Sequence, residues 1–260
     1  MPNFVASGIP MSQNDFHTAA AKAGGTIESL WAVVKVETSG CGYLPDRRPQ
    51  ILFERHKFHK FTNGRFDASH PGISAAKAGG YGKQGAAQYD RLAEALALDE
   101  EAALKSASWG IGQIMGYNCT TAGYAHVHDM VSAFVESEQN QIIAMGTFIA
   151  NNGMSQDLAN LDWASFASKY NGSDYKQNNY DTKLATNHDI FVAHGVPDLK
   201  IRTAQLILTY LGYKPGAVDG LLGDNTKTAL QKYQIAKALP ATMRPDDATL
   251  AALHAEPFTP

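Results

Sequence analysis

Apolar residues recur at helical spacing along most of residues 1–194, which predicts a mainly α-helical fold for this part of the chain. The clearest case is a helix whose apolar residues follow the i, i+3, i+4, i+7 pattern: Ile27, Leu30, Trp31 and Val34. Thr26 can cap the start of this helix. Ser12 and Asp15 form a capping box before a shorter helix, which ends at Gly24–Gly25.

The residues that follow combine a strand signal, a long loop and further helical segments. The apolar run ILF (51–53) after Pro49 indicates a short strand. Residues 62–85 are rich in Gly, Ser and Asn, which is typical of a long surface loop, and such loops are often functional. Helical spacing then resumes over 86–105, 129–150 and 155–169.

The stretch VAHGVPDLK (192–200) contains the Gly and Pro of a linker, and three amphipathic helices follow it. Asp246 or Asp247 can cap the third of these helices. The first two share TAQLIL and TALQKYQ, which is either a weak internal repeat or a fortuitous likeness of two amphipathic helices. We therefore predict domains at 1–194 and 199–256, the second a small three-helix bundle.

Composition and charge are those of an ordinary globular protein. Hydrophobic residues make up 44% and charged residues 18%, with a net charge of −3, which gives no support to a nucleic-acid binder. No apolar run approaches the ~20 residues that cross a bilayer. The start MPNFVASGIPMSQNDF lacks the features of a signal peptide, so we expect a cytoplasmic location before any release. Cys41 and Cys119 are expected to be free buried thiols, with a single bridge or a reactive thiol as alternatives.

The carboxyl group of Glu37 falls on the apolar side of its helix. Position 37 lies three residues after Val34 and seven after Leu30, so the side chain points to the packed side. Burial and the negative end of the helix dipole both disfavour the ionised form and raise the pKa of Glu37. A carboxylic acid that is protonated near neutral pH can donate a proton to a leaving oxygen, as a glycosidase requires. The alternative is a Glu that pairs with an Arg or caps a backbone group.

Two further stretches set polar groups among apolar ones. SWGIGQIMGYN (108–118) suits a sugar cleft, and it equally suits a tightly packed helix with its cap. YNGSDYKQNNY (170–180) places three tyrosines among amides, which could stack on sugar faces or form a polar turn between helices. The local pattern leaves both alternatives open.

Taken in order, VETSG after an amphipathic helix, then SWGIGQIMG, then YNG resemble the lysozyme superfamily, with goose-type lysozymes and lytic transglycosylases closest in layout. The fuller run VVKVETSGCGYLPDRRPQILFERHKFH resembles phage-endolysin N-acetylmuramidases, over roughly residues 15–190. This resemblance implies an α+β lysozyme-like domain with Glu37 as the general acid. It also implies a set of residues that line the cleft or lie near the reacting sugar: Ser108, Gly110, Gln113, Tyr170 and Asn171.

The resemblance leaves the second catalytic group open. About 70 residues separate Glu37 from Ser108, a larger insertion than in goose-type lysozymes. Glu54 in ILFERH is our candidate for activating a water or stabilising the oxocarbenium ion, and its alternative role is a salt bridge beside Arg55. Asp46 is a further candidate, although it suits a plain turn. Two carboxyl groups about 6.5–9.5 Å apart would predict inversion at the sugar.

The C-terminal unit resembles the three-helix peptidoglycan-binding module through AQLILTYLGY, GAVDGLLGDNTKTAL and YQ. The resemblance implies a muropeptide groove bordered by the DG turn and the next helix: Asp219, Gly220, Asn225, Thr226, Tyr233 and Gln234. Asp219–Gly220 could instead make only a tight turn, and Asn225 could cap a helix. The stretch AKALPATMRPDD replaces the usual later glycine.

The expected activity is hydrolysis of peptidoglycan between N-acetylmuramic acid and N-acetylglucosamine, leading to lysis of a bacterial host. A lytic transglycosylase would use the same Glu37 but leave a 1,6-anhydro product. A zinc amidase or peptidase could use His56 with His59, or His126 with His128, but HExxH is absent from the sequence. A non-catalytic wall-binding or virion structural protein is the remaining alternative.

We expect no metal or cofactor, and a monomer whose partner is bacterial peptidoglycan, without nucleic acid or stable membrane insertion. Such a protein would stay in the host cytoplasm until released to the wall. The two predicted domains are expected to act independently. Deletion of the residues after about 198 should then weaken wall binding and leave the chemistry on small glycans intact.

Overall fold

The computed structural model describes residues 4–173 and 175–258. Within them the N-terminal part contains the helices α1 Gln13–Ala23, α2 Ile27–Thr38, α3 Arg55–Phe61, α4 Ala87–Leu98, α5 Glu100–Lys105, α6 Val127–Glu136, α7 Glu138–Asn151, α8 Ser155–Ala159, α9 Trp163–Tyr170 and α10 Tyr180–His194. The C-terminal part contains α11 Leu199–Tyr210, α12 Asp224–Ala236 and α13 Asp247–His254. Two short 3₁₀ helices span Gly116–Asn118 and Tyr175–Asn178. The chain is mainly α-helical, as predicted.

Three short strands form one antiparallel sheet in the order β1 (Ile51–Phe53), β2 (Ala107–Trp109) and β3 (Ile114–Met115). The strand predicted at 51–53 is confirmed. The alternative of a capped helix over 108–118 is wrong, because this stretch forms the β2–β3 hairpin. Gly110 and Gln113 in its turn have positive φ values of 67° and 46°, which an α-helix does not accommodate.

The predicted caps position the first two helices. Ser12 and Asp15 form the capping box of α1, and the Thr26 side chain accepts a hydrogen bond from the Ser29 N–H at 3.1 Å at the start of α2. Helix α1 packs along α7, and α2 packs along α10. Phe16 stacks on Trp31 with ring centroids 4.3 Å apart, and burying each such side chain contributes ~1.5–3 kcal/mol.

Two predicted helices are each divided by a capping residue. Asp99 ends α4 and caps α5 by accepting from the Ala102 N–H at 3.1 Å. Ser137 divides the helical segment predicted at 129–150 into α6 and α7, and its side chain caps α7 by accepting from the Asn140 N–H at 3.2 Å. Helix α10 begins at Tyr180, the last residue of the stretch YNGSDYKQNNY. Helices α4 and α5, on either side of Asp99, pack on strands β1 and β2.

The C-terminal helices enclose an apolar core of their own, which includes Leu208, Leu230 and Leu253. Two buried glutamines give this part an internal repeat. Gln205 donates to the Thr226 side chain on the next helix at 3.1 Å, and Gln234 donates likewise to Thr249 at 2.9 Å. The repeat therefore aligns Gln205 with Gln234, a register different from the one suggested by TAQLIL and TALQKYQ. Asp246 caps α13, as one of the two predicted alternatives.

Cys41 and Cys119 are both free and buried, which confirms the prediction of two buried thiols. Burial raises the pKa of the Cys41 thiol to about 12. Across residues 4–173 and 175–258, no helix combines the length and apolar character needed to cross a membrane.

Candidate active site

Glu37 lies one residue before the end of α2 and is half-buried. Burial raises the pKa of Glu37 from 4.5 to about 7, and a hydrogen bond from Asn171 partly offsets this rise. The Asn171 Nδ2 atom donates to Glu37 Oε1 at 2.8 Å. The predicted pKa rise is confirmed, and the hydrogen-bond partner of the carboxyl group is an amide. An acid of this kind is protonated in a large fraction of molecules at neutral pH.

The end of α9 brings Asn171 to Glu37. The preceding residue, Tyr170, stacks on Phe166 at 5.4 Å and donates its hydroxyl to the Gly112 carbonyl at 2.7 Å. Burial raises the pKa of Tyr170 well above 10, and the charge of Glu37 adds to this effect. Tyr170 therefore fixes the hairpin turn beside the acid, and its hydroxyl is already bound to protein.

The β2–β3 turn is rigid because its polar side chains bond to one another. Ser108 Oγ donates to Gln113 Oε1 at 2.8 Å, and Gln113 Nε2 donates to the Gly110 carbonyl at 2.9 Å. A Cβ atom at Gly110 would lie 2.7 Å from the Gln141 side chain. Glycine is thus required there by both space and φ. Contact of Ser108, Gly110 and Gln113 with substrate stays a prediction.

The same turn is tied to the helix of Glu37. Thr38 Oγ1 donates to the Ile111 carbonyl at 3.1 Å, and Gln141 Oε1 accepts from the Ile111 N–H at 2.8 Å. Gln141 is buried on α7 and was missed by sequence reasoning, because EQNQII gives no local sign of this contact. The end of α2 and the hairpin therefore form one connected unit.

Glu54 lies directly before α3, and its Oε2 atom is 3.2 Å from His56 Nε2. The neighbour of its carboxyl group is therefore the imidazole of His56, whose pKa burial lowers. The alternative considered from the sequence was a salt bridge beside Arg55. Burial raises the pKa of Glu54, and Lys57 lowers it by a smaller amount. The Glu54 side chain is 18% exposed.

Two tyrosines are electrostatic neighbours of the carboxyl groups of Glu37 and Glu54. Burial raises the pKa of Tyr180, and the nearby Glu37 and Tyr81 add to the effect. Burial also raises the pKa of Tyr81, with Glu54 as its charged neighbour. Tyr180 is thus an electrostatic neighbour of Glu37, and Tyr81 an electrostatic neighbour of Glu54. Tyr81 was missed at the sequence level, although it lies in the long Gly-rich loop.

A family model for N-acetylmuramidases matches residues 26–192, which is more than half of the chain and contains Glu37, the hairpin and Asn171. This chain belongs to the N-acetylmuramidase family. A second family model, for a peptidoglycan binding domain, matches residues 198–253. The crystal structure of a Burkholderia AP3 phage endolysin shares 36% sequence identity and a TM-score of 0.64, covering 70% of this chain and 71% of that one. A comparison with curated protein sequences gave no match.

The N-acetylmuramidase is a lysozyme-type glycoside hydrolase acting on peptidoglycan.

The carboxylate of Asp46 is bound within its own turn. It forms a salt bridge with Arg48 at 2.6 Å and accepts a hydrogen bond from the Arg48 N–H. This geometry favours the turn interpretation of Asp46.

Among the histidines of the two spacings, three lie near one carboxylate each: His56, His59 and His128. His59 Nδ1 lies 2.7 Å from Asp67, and His128 Nε2 lies 3.7 Å from Glu100. In the described ranges, no group of three or more His, Cys, Asp or Glu side chains is arranged to hold a metal ion. The H-x-x-H and H-x-H spacings therefore do not mark shared ligand sets in this part of the chain.

In the peptidoglycan-binding module, the buried side chain of Gln205 forms hydrogen bonds with the DG turn (Asp219–Gly220). Gln205 Oε1 accepts from the N–H groups of Asp219 and Gly220 at 3.0 and 2.8 Å. Its Nε2 atom donates to Asp219 Oδ1 at 2.9 Å and to Thr226 at 3.1 Å. Gly220 has a φ of 75° and lies against Pro197, so this position requires glycine. Asp219 and Gly220 thus sit on a turn fixed by a buried amide.

The other module residues divide into surface and core positions. Asn225 is exposed on the first turn of α12, and Gly223 is the N-cap, so the capping interpretation of Asn225 is wrong. Thr226, Tyr233 and Gln234 are buried, and Tyr233 donates its hydroxyl to Glu256 at 2.8 Å. Thr226, Tyr233 and Gln234 therefore belong to the interior of the module, whereas Asn225 and the half-buried Asp219 are accessible at its surface.

Proposed function

We propose that this N-acetylmuramidase is an endolysin that hydrolyses the β-1,4 bond between N-acetylmuramic acid and N-acetylglucosamine, with Glu37 as the general acid. One observation carries the proposal. Glu37 has a pKa raised by burial to about 7 and is oriented by Asn171 next to a rigid hairpin turn. The AP3 phage protein, which is named an endolysin, supports the role in lysis.

The chemistry follows from the two carboxyl groups. Glu37 transfers its proton to the glycosidic oxygen as the bond to the anomeric carbon breaks, so the leaving sugar departs as an alcohol. Water then adds to the oxocarbenium-like carbon, and its proton passes to a base. We assign that base to Glu54, whose side chain is partly exposed and whose pKa is raised by burial.

Substrate recognition is assigned to two surfaces. Ser108, Gly110 and Gln113 would present the hairpin turn to the glycan, with Asn171 holding the acid in place. In the module, Asp219 and Asn225 would contact peptidoglycan. Binding to a polymeric wall raises the effective concentration of glycan at Glu37 without any new catalytic contact.

The test is a Glu37→Gln variant assayed on purified peptidoglycan. General acid catalysis contributes ~10²–10⁴ in rate, and we expect kcat to fall by that factor with wall binding unchanged. Glu28→Gln, on the first turn of the same helix, is the matched control and should keep the parental rate. A folded Glu37→Gln protein that clears wall suspensions at the parental rate would overturn the proposal.

A further inference from the structure

A buried ion pair joins the peptidoglycan-binding module to the catalytic domain. Arg202 on α11 and Glu138 at the start of α7 are both 0% exposed. Arg202 Nη1 donates to Glu138 Oε2 at 2.7 Å, and Nη2 donates to Oε1 at 2.6 Å. This is the bidentate geometry, with two parallel hydrogen bonds, in which arginine binds a carboxylate most strongly.

Both partners also bind the turn that follows the helix of Glu37. Arg202 Nε donates to the Gly40 carbonyl at 2.8 Å. Glu138 Oε1 accepts from the Gly42 N–H at 3.0 Å. The pair therefore bonds to the backbone at two places, three and five residues after the catalytic acid.

The turn has little room to move between these bonds. A Cβ atom at Gly42 would lie 2.0 Å from Gln141 Oε1, and one at Gly40 would lie 3.3 Å from the Val218 carbonyl of the module. Gly40 has a φ of 102°, a conformation that favours glycine. The module thus packs directly on the backbone of this turn, beside the arginine.

We propose that Arg202 is a positioning residue for Glu37: through Gly40 and Glu138 it fixes the turn that ends the catalytic helix, so the peptidoglycan-binding module completes the active site. The inference rests on the proposed role of Glu37 as the acid. It gives the module a second task, in addition to holding the wall.

The physical reason lies in the burial of the pair. An exposed ion pair contributes little, whereas removing one partner of a buried pair leaves an uncompensated charge in the interior. Deletion of the module would leave Glu138 in that state and would release Gly40. Truncation after about residue 198 should therefore lower activity on small glycans as well as wall binding, in contrast to the independence expected from the sequence.

The first test compares Arg202→Met with Lys200→Met, a matched control on the same helix. Lys200 pairs with Asp247 at 3.1 Å on the surface, so its loss should leave kcat unchanged. The assay uses short soluble glycan strands, for which wall binding by the module is not needed. For Arg202→Met we expect kcat to fall about 10- to 100-fold with KM changed less than about threefold, since small displacements of a catalytic group cost rate. A parental kcat would overturn the inference.

A double variant separates positioning from stability. Arg202→Met with Glu138→Gln removes both charges, so no lone charge stays buried and the melting temperature should recover towards the parent. The neutral Gln can still accept from Gly42, but nothing replaces the bond to Gly40. We expect kcat to stay low in this folded protein. If both the melting temperature and kcat of the double variant return to the parental values, the ion pair contributes only to stability and the inference fails.

These outcomes are distinct from a failure of the proposed function. If Glu37→Gln keeps the parental rate, the proposed function fails. If Glu37→Gln is inactive and both Arg202 variants match the parent in kcat, only the positioning role of Arg202 is overturned.

Discussion

The hydrogen bond between Asn171 and Glu37 gives a quantitative prediction for the pH dependence of activity. Asn171→Leu replaces the amide by an apolar side chain of similar size, so the carboxyl group loses its donor at 2.8 Å. The amide binds the ionised carboxylate more strongly than the neutral acid. Its removal therefore destabilises the charged form and raises the pKa of Glu37 above about 7.

The size of the pKa shift follows from the difference in strength between a hydrogen bond to the ionised carboxylate and one to the neutral acid. A hydrogen bond to a charged group contributes ~1.5–3 kcal/mol and one to a neutral group ~0.5–1.5 kcal/mol. The difference of ~1–1.5 kcal/mol corresponds to about one pH unit, since one unit is 1.36 kcal/mol. The alkaline limb of the kcat profile should thus move from near pH 7 in the parent to near pH 8.

The assay is kcat against pH on soluble glycan strands, from pH 4 to pH 10. Asn151→Leu is the matched control, because the Asn151 side chain donates to the Thr121 carbonyl on the surface, and its profile should equal that of the parent. The rate plateau of Asn171→Leu should also fall, since the acid is no longer oriented. An alkaline limb that stays in place, or moves to lower pH, would refute the reasoning.

Three further predictions concern stability, the module and thiol chemistry. The pKa of Glu37 is about 7 in the folded state and 4.5 in the unfolded chain, so the stability of the parent falls as the pH rises from about 4.5 to 7 and stays lowered above that; Glu37→Gln should stabilise the protein by up to about 3 kcal/mol at pH 8 and by almost nothing below pH 4 in chemical unfolding. Gln205→Leu should destabilise the protein by ~2–4 kcal/mol and weaken wall pull-down, because the polar groups of the DG turn lose their buried partner, whereas Gln231→Leu should do neither. Cys41, whose pKa is raised to about 12 by burial, should react with iodoacetamide only after unfolding, and rapid labelling of the native protein would contradict this expectation.

The parts of the fold that depend on local signals were predictable from the sequence. The caps at Ser12, Thr26 and Asp246 each use a side chain that bonds to the backbone three residues later, so their effect is visible in a short window. The same chemistry at Asp99 and Ser137 was overlooked, because both lie within long stretches of helical spacing. Those two residues divide predicted helices that the apolar pattern alone presents as continuous.

The parts that depend on distant contacts were not predictable in this way. The hairpin at 107–115 is a strand pair because β2 bonds to Ile51–Phe53, more than 50 residues earlier. Arg202 and Glu138 are 64 residues apart. In the sequence, neither differs from the charged residues that usually lie on a protein surface. Only the packed structure shows that they bury each other. The ordered motifs predict a role for Glu37, whereas the residues that bond to the backbone around it are visible only in the tertiary structure.

Mass spectrometry of peptidoglycan digested by the parent protein and by Glu37→Gln tests most directly whether Glu37 drives hydrolysis of the glycan. We expect muropeptides that end in a hydrated reducing N-acetylmuramic acid from the parent, and almost no new ends from the variant. Products that end in 1,6-anhydro-N-acetylmuramic acid, or released stem peptides with intact glycan, would contradict this expectation.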